Sequence, residues 1–267
     1  MDAMIVNGGR VHKHAPIRAS HAARPWPPGL PGADVLHVWD VDLADPRWDA
    51  HGDVLAPAEA ERFARVLMKP ARDDWRRSRV ALRLLVARYL ADDARAFRFG
   101  QGSHGKPRLD RADFAASFNV SHSAGRALIA LAAGEVGVDI ERVADRVGDE
   151  AALAARILAA SEAAPGLNDA GGVATSFYRL WTRKEAYCKA TGLGLYKAMA
   201  SFRIETTGEA TVSRVHDADA ADGTRWFIHD LACDPGWMAA VCTPLAAPVI
   251  HRRLLEPIAG LRETLSR

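Results

Sequence analysis

Two acids separated by one residue, Asp139 and Glu141 in Gly137-Val138-Asp139-Ile140-Glu141, are the first chemistry the chain offers. On a strand, residues two apart project from one face, so both carboxylates can point at one object. Like charges side by side are costly unless something positive lies between them. A hard cation with oxygen ligands meets that need, and magnesium typically takes a few carboxylates together with substrate phosphates. The plainer alternative is a strand end with two exposed acids. A second group is Trp181-Thr182-Arg183-Lys184-Glu185-Ala186-Tyr187-Cys188-Lys189. Its Trp181, Glu185 and Lys189 are spaced i, i+4, i+8 and share one helix face. An exposed Glu185–Lys189 pair worth about 0.3–0.5 kcal/mol is the ordinary reading. Trp181 argues instead that this face is partly buried, and a buried Glu–Lys pair needs a reason.

Two turns add basic and hydroxyl groups. Phe118-Asn119-Val120-Ser121-His122-Ser123-Ala124-Gly125 reads as a strand running into a Ser/His/Ser/Gly turn. No Gly-x-Ser-x-Gly elbow is present, so Ser121 and His122 are not read as a hydrolase dyad. Small hydroxyl residues, a histidine and a glycine at a strand end suit phosphate contact. Gly105-Lys106-Pro107-Arg108 is a tight turn presenting Lys106, too short to be a phosphate-binding P-loop.

These groups need elements to hold them. Val35 to Val41 alternates as a strand, and Pro57 sits where a helix would start. A longer helix is expected over about Arg72 to Leu90, from Val80, Leu84, Leu85 and Tyr89 at helical spacing. Along it Arg72, Arg76, Arg79 and Arg83 form a stripe, either a solvated face or an anion-facing one. Short strands are expected at 116–120, 127–131 and 136–140, helices at about 150–160 and 175–190, and further strands out to Cys242. The order permits two related α+β halves meeting near Gly134, and such an interface is a natural place for a site. The expected divisions are residues 1–33, a Pro- and His-rich stretch read as a disordered extension; 34–134 and 135–248, the two halves; and 249–267, a tail helix.

Taken in order, Gly-Lys-Pro, Phe-Asn-Val-Ser-His-Ser, Gly-Val-Asp-Ile-Glu and Trp-Thr-Arg-Lys-Glu-Ala-Tyr-x-Lys-Ala-x-Gly-x-Gly-Leu resemble the 4′-phosphopantetheinyl transferase superfamily. The match is to its larger, pseudodimeric class, which activates carrier domains of peptide and polyketide synthetases. The resemblance covers roughly Ala56 to Leu195. It implies an α+β pseudodimer with the site at the interface of its halves. It also implies a holo-[acyl-carrier-protein] synthase type activity, moving the phosphopantetheine arm of coenzyme A onto a carrier-protein serine and releasing 3′,5′-ADP. By resemblance Asp139, Glu141 and Glu185 hold magnesium, and Lys189 contacts the diphosphate. Gly105, Lys106, Ser121 and His122 hold the nucleotide end, with Arg62 and the Arg72–Arg76 region, Arg76 included, near the 3′-phosphate. Glu185, directly or through a water on the metal, is the implied proton acceptor, with Lys184 and Lys189, together with the magnesium, expected to keep it charged. Glu59 departs from the pattern, lying where some relatives carry a basic residue.

The bulk composition agrees with an enzyme of this kind. Hydrophobic residues make up 49% and charged residues 25%, which excludes wholesale disorder and a fibrous chain. A net charge of +2 does not mark a dedicated nucleic-acid binder. No run approaches the roughly 20 apolar residues of a membrane span. Cys188, Cys233 and Cys242 have no CxxC spacing, and no apolar signal core opens the chain, so a reducing cytoplasm is expected. A chain that builds its own interface is expected to be a monomer. Two other classes compete: a non-catalytic coenzyme A or carrier-protein binding module, and an unrelated metal-dependent phosphohydrolase.

Overall fold

Strand β1 (Val35–Asp42) is buried along nearly its whole length because both its faces are covered. Trp39 and Val41 point into one apolar cluster, Leu36 and Val38 into another. The same period of two sorts β5 (Arg126–Ala132): Ala127, Ile129 and Leu131 to the first cluster, Leu128, Ala130 and Ala132 to the second. This computed structural model describes residues 29–66, 68–102, 104–144, 156–162, 172–206, 211–220 and 223–257.

Two sheets and two long helices make the layers. Helix α1 (Pro57–Ala64) begins at Pro57, and helix α2 (Lys69–Leu90) packs Val80, Leu82, Leu85 and Val86 into the first cluster. Beneath α2 lies a sheet of order β11-β1-β5-β4, with β4 at Ser117–Ser123 and β11 at Val249–Leu255. A small hairpin, β2 (Phe99–Gln101) with β3 (Pro107–Leu109), flanks it. The second sheet has the order β6-β10-β9-β8-β7, with β6 at Gly137–Arg142, β7 at Arg203–Thr206, β8 at Val212–His216, β9 at Phe227–Asp230 and β10 at Trp237–Thr243. Helix α3 (Gly172–Ala190) covers its other face, burying Ala186, Tyr187 and Ala190 against Ile228, Ala240 and Cys242. The second cluster, with Val138, Ile140, Ala239 and Val241, fills the space between the sheets.

The strand at the chain's end corrects one expectation. Residues 249–255 are not part of a tail helix; they form β11, parallel to β1 with Val35 opposite Val249 and Val41 opposite Leu255. Arg252 holds it there through two bonds of 2.7 Å to the Asp40 carboxylate. The period of residues 254–265 resembled a helix, but the unpaired edge of β1 accepts a strand. The first sheet is thus completed by residues from beyond position 248. Residues 258–267, 1–28 and most of the expected helix at 150–160 lie outside the described residues.

Candidate active site

Strand β6 divides its side chains by parity. Val138 and Ile140 enter the core between the sheets, while Gly137, Asp139 and Glu141 turn toward α3. Helix and strand approach very closely here: a Cβ on Gly137 would collide with the Ala186 carbonyl oxygen and the backbone of Ala190. Only glycine allows that approach. It carries Glu185 and Lys189 down onto the two acids.

Lys189 Nζ donates to Asp139 Oδ1 at 2.6 Å and to Ser121 Oγ at 2.9 Å. Asp139 is 1% exposed, and its other oxygen, Oδ2, is buried without a hydrogen-bond partner. Burial first, then the charge of Asp139, pushes the Glu141 carboxyl up to about 7, against the pull of Ser123 and Lys189. Burial also raises Glu185, with Asp139 adding to it and Lys189 opposing. Without a metal, then, the lysines alone do not hold Glu185 low. Lys184, one residue before it on the helix, points the other way. It is fully buried, donating to Glu162 Oε2 (2.6 Å) and to the carbonyls of Met199 (2.9 Å) and Phe202 (2.8 Å).

Three acids therefore face one ammonium. Among the described residues no three His, Cys, Asp or Glu side chains already form a ligand cage, and Lys189 lies on Asp139. The donor set nonetheless fits a hard divalent cation: all oxygen, short of positive charge, with one buried carboxylate oxygen unpartnered. Without such a cation Glu141 binds its proton more tightly in the folded chain than its ordinary value of 4.5 allows. The folded state then holds more protons than the unfolded between about pH 4.5 and about pH 7, so this group makes stability fall as pH rises through that window. In urea unfolding with chelator, wild type should lose stability relative to Glu141→Gln from about pH 5 to about pH 7. A constant difference between the two would contradict it.

The remaining sequence assignments divide. Ser121 and His122 do not share a turn: both lie on β4, whose turn is Ala124-Gly125, and consecutive strand residues face opposite ways. Ser121 is buried and donates to Asp139 Oδ1 at 2.7 Å; Phe118 and Val120, of His122's parity, face the α2 side. Lys106 Nζ donates to the Ala190 carbonyl at 2.9 Å and pairs with Glu135, so Gly105-Lys106 abuts the end of α3 and Gly192. Arg76 pairs with Asp49, and the Arg62 guanidinium sits 4.5 Å over the Trp75 ring. Arg79 and Arg83 both bind Glu59, at 2.5 and 2.8 Å, and Arg83 also donates to the carbonyls of Ala94 and Phe97. Much of the arginine stripe is thus neither a solvated face nor a free anion site. Glu59, the departing residue, has a structural use: it also accepts the Ala56 N–H at the start of α1.

Four residues at or behind the site were not singled out from sequence: Asn119, Ser123, Gly137 and Glu162. Asn119, Ser121 and Ser123 make a polar period-two stripe along a strand whose alternate residues Phe118 and Val120 are apolar, and that pattern could have marked them.

A profile of the 4′-phosphopantetheinyl transferase superfamily matches residues 135–242, which span β6, α3 and β10. A putative 4′-phosphopantetheinyl transferase of Synechocystis sp. is 31% identical over 217 residues, covering 77% of this chain and 87% of the relative. 4′-Phosphopantetheinyl transferase HetI of Nostoc sp. is 31% identical over 229 residues, covering 83% of this chain and 93% of the relative. The chain belongs to the 4′-phosphopantetheinyl transferase superfamily. It falls in the larger class, with Sfp of Bacillus subtilis, 29% identical over 203 residues and 87% of that protein. In this member the matched region contains both strand acids and both helix residues of the cluster, while the serines that touch the strand acids come from β4, before the match begins. Among the described residues no helix is long and apolar enough to cross a membrane.

Proposed function

We propose that this superfamily member is a holo-[acyl-carrier-protein] synthase type enzyme, transferring the 4′-phosphopantetheine arm of coenzyme A to a serine of an apo acyl or peptidyl carrier protein. The convergence of Asp139, Glu141, Glu185 and Lys189 at the α3–β6 crossing carries the reading. Asp139, Glu141 and Glu185 would hold magnesium, which when bound supplies charge neutralisation for a diphosphate. Residues 34–134 and 135–248 are read as the halves of a pseudodimer, with β11 returned to the first, and the site at their junction. A cytoplasmic monomer needing neither nucleic acid nor membrane completes the reading.

The chemistry asks mainly for positioning and charge. The carrier serine oxygen bonds to the pantetheine-side phosphorus as the bond from that phosphorus to the bridging oxygen breaks, leaving 3′,5′-ADP. Glu185, directly or through a water on the metal, takes the serine proton. Lys189, kept protonated by Asp139 and Glu185 against the cost of burial, offsets charge on the diphosphate. Gly105-Lys106 and His122 bound the nucleotide end, and Arg62 and Arg76 lie further along α1 and α2. The deciding assay is incubation with apo carrier protein, coenzyme A and magnesium, read by intact mass. A gain of one phosphopantetheine group is expected. Tight coenzyme A binding with no gain on several carriers would instead mark a binding module, and release of phosphate without a carrier a phosphohydrolase.

Lys106→Ala is expected to raise KM for coenzyme A roughly tenfold, the scale of a lost charge-assisted hydrogen bond, with kcat little changed. Binding energy removed equally from the ground and transition states appears in KM. His122→Ala should behave alike. A collapse of kcat at unchanged KM would place either residue in the chemistry.

A further inference from the structure

Strand β6 is laddered on one side only. On its β10 side the backbone pairs normally, Asp139 opposite Ala240 and Glu141 opposite Met238. On the other side it meets β4, the edge of the first sheet, and side chains take the place of a ladder. The N–H groups of Val138, Ile140 and Arg142 donate to Asn119 Oδ1 (2.9 Å), Ser121 Oγ (3.4 Å) and Ser123 Oγ (3.3 Å). The offset is nineteen residues each time, so one register holds the whole seam. Each serine then gives its own proton to the acid one position earlier: Ser121 Oγ to Asp139 Oδ1 at 2.7 Å, Ser123 Oγ to Glu141 Oε2 at 2.8 Å.

We propose that Ser121 and Ser123 of β4 are positioning residues for the acids of β6, Ser123 orienting Glu141 and Ser121 orienting Asp139. The inference rests on the assignment of those acids to a divalent cation. A hydroxyl has one proton to give and two lone pairs to receive with. Accepting a backbone N–H of β6 anchors each oxygen, and the proton is then directed to one carboxylate oxygen. At Asp139 this ties Oδ1, already shared with Lys189, and leaves Oδ2 as the buried oxygen without a partner. At Glu141 it ties Oε2. The first sheet thereby decides which oxygens of the second remain for a ligand. That is the role of the hydrogen-bonded groups behind metal ligands in general, whose loss typically costs 10- to 100-fold in metal affinity.

Ser123 is the cleaner test, since Ser121 also binds Lys189. The probe is Mn2+, titrated into full-length protein with saturating coenzyme A and read as free ion by electron paramagnetic resonance. Ser123→Ala and Ser123→Cys are compared with Glu141→Gln, and coenzyme A affinity is measured in chelator. Cysteine fills the space of serine but is a weak donor. The expected result is Mn2+ affinity lowered about 10- to 100-fold in both serine variants, with chelator affinity for coenzyme A unchanged. If Ser123→Ala is too unstable to measure, Ser123→Cys alone decides. Wild-type Mn2+ affinity in Ser123→Cys, with Glu141→Gln impaired, overturns the positioning role and leaves the ligand assignment standing. Wild-type affinity in Glu141→Gln as well overturns both. Equal loss of coenzyme A affinity in chelator would make the serines structural and also overturn the inference.

Discussion

In Asp139→Ala, transfer is expected to fall to background while coenzyme A binding weakens only when magnesium is present. Asp139 receives both Lys189, at 2.6 Å, and Ser121, at 2.7 Å. It is also the acid with a buried oxygen left unpartnered. Removing it takes away one of three carboxylates and releases Lys189 toward Glu185 and Glu141, whose charges it already feels. Both changes lower the negative potential that would hold a cation. A carboxylate acting through a metal matters little to coenzyme A once the metal is chelated. Calorimetric titration with coenzyme A, in magnesium and in chelator, therefore separates the roles. Equal loss of affinity in both would contradict the ligand assignment and make Asp139 the anchor of Lys189 alone.

Glu185→Gln should lower transfer by at least about 100-fold, the lower bound usually found for a lost general base. Glutamine keeps the shape and is an equally good helix former, so α3 and its crossing over Gly137 should persist. What is lost is charge and basicity. Ligand and base alike must be ionised, so protonation of Glu185 removes both roles. Wild-type transfer should accordingly fall on the acid side, and the residual activity of Glu185→Gln should lack that dependence on this group. Near-normal turnover of the variant at neutral pH would leave Glu185 neither base nor essential ligand. The site would then be redrawn around Asp139 and Glu141.

Local periodicity made much of this site readable. Asp139 and Glu141 share a face because any strand repeats every two residues. Glu185 and Lys189 share one because a helix repeats nearly every four. Motif order added the link between strand and helix, and the homologous relatives agree with the family it indicated. The same local rules mark β1, α2 and the apolar strands of both sheets.

What each face meets was decided only by the tertiary structure. The helical repeat sets Lys184 off the Glu185–Lys189 face, but only packing gives it Glu162 as partner and gives Lys189 Asp139. Arg76, Arg79 and Arg83 form a regular stripe, but Asp49 and Glu59, 20 to 27 residues away, determine that they are paired. Residues 249–255 become a strand because β1, more than two hundred residues earlier, has an edge to offer. The serines of β4 act on acids 18 residues later across a seam between two sheets. Sequence alone determined which side chains travel together, since that follows from the repeat of a single element. Their partners depend on which distant elements pack against that element, a choice made by burial of the whole core and written in no local period.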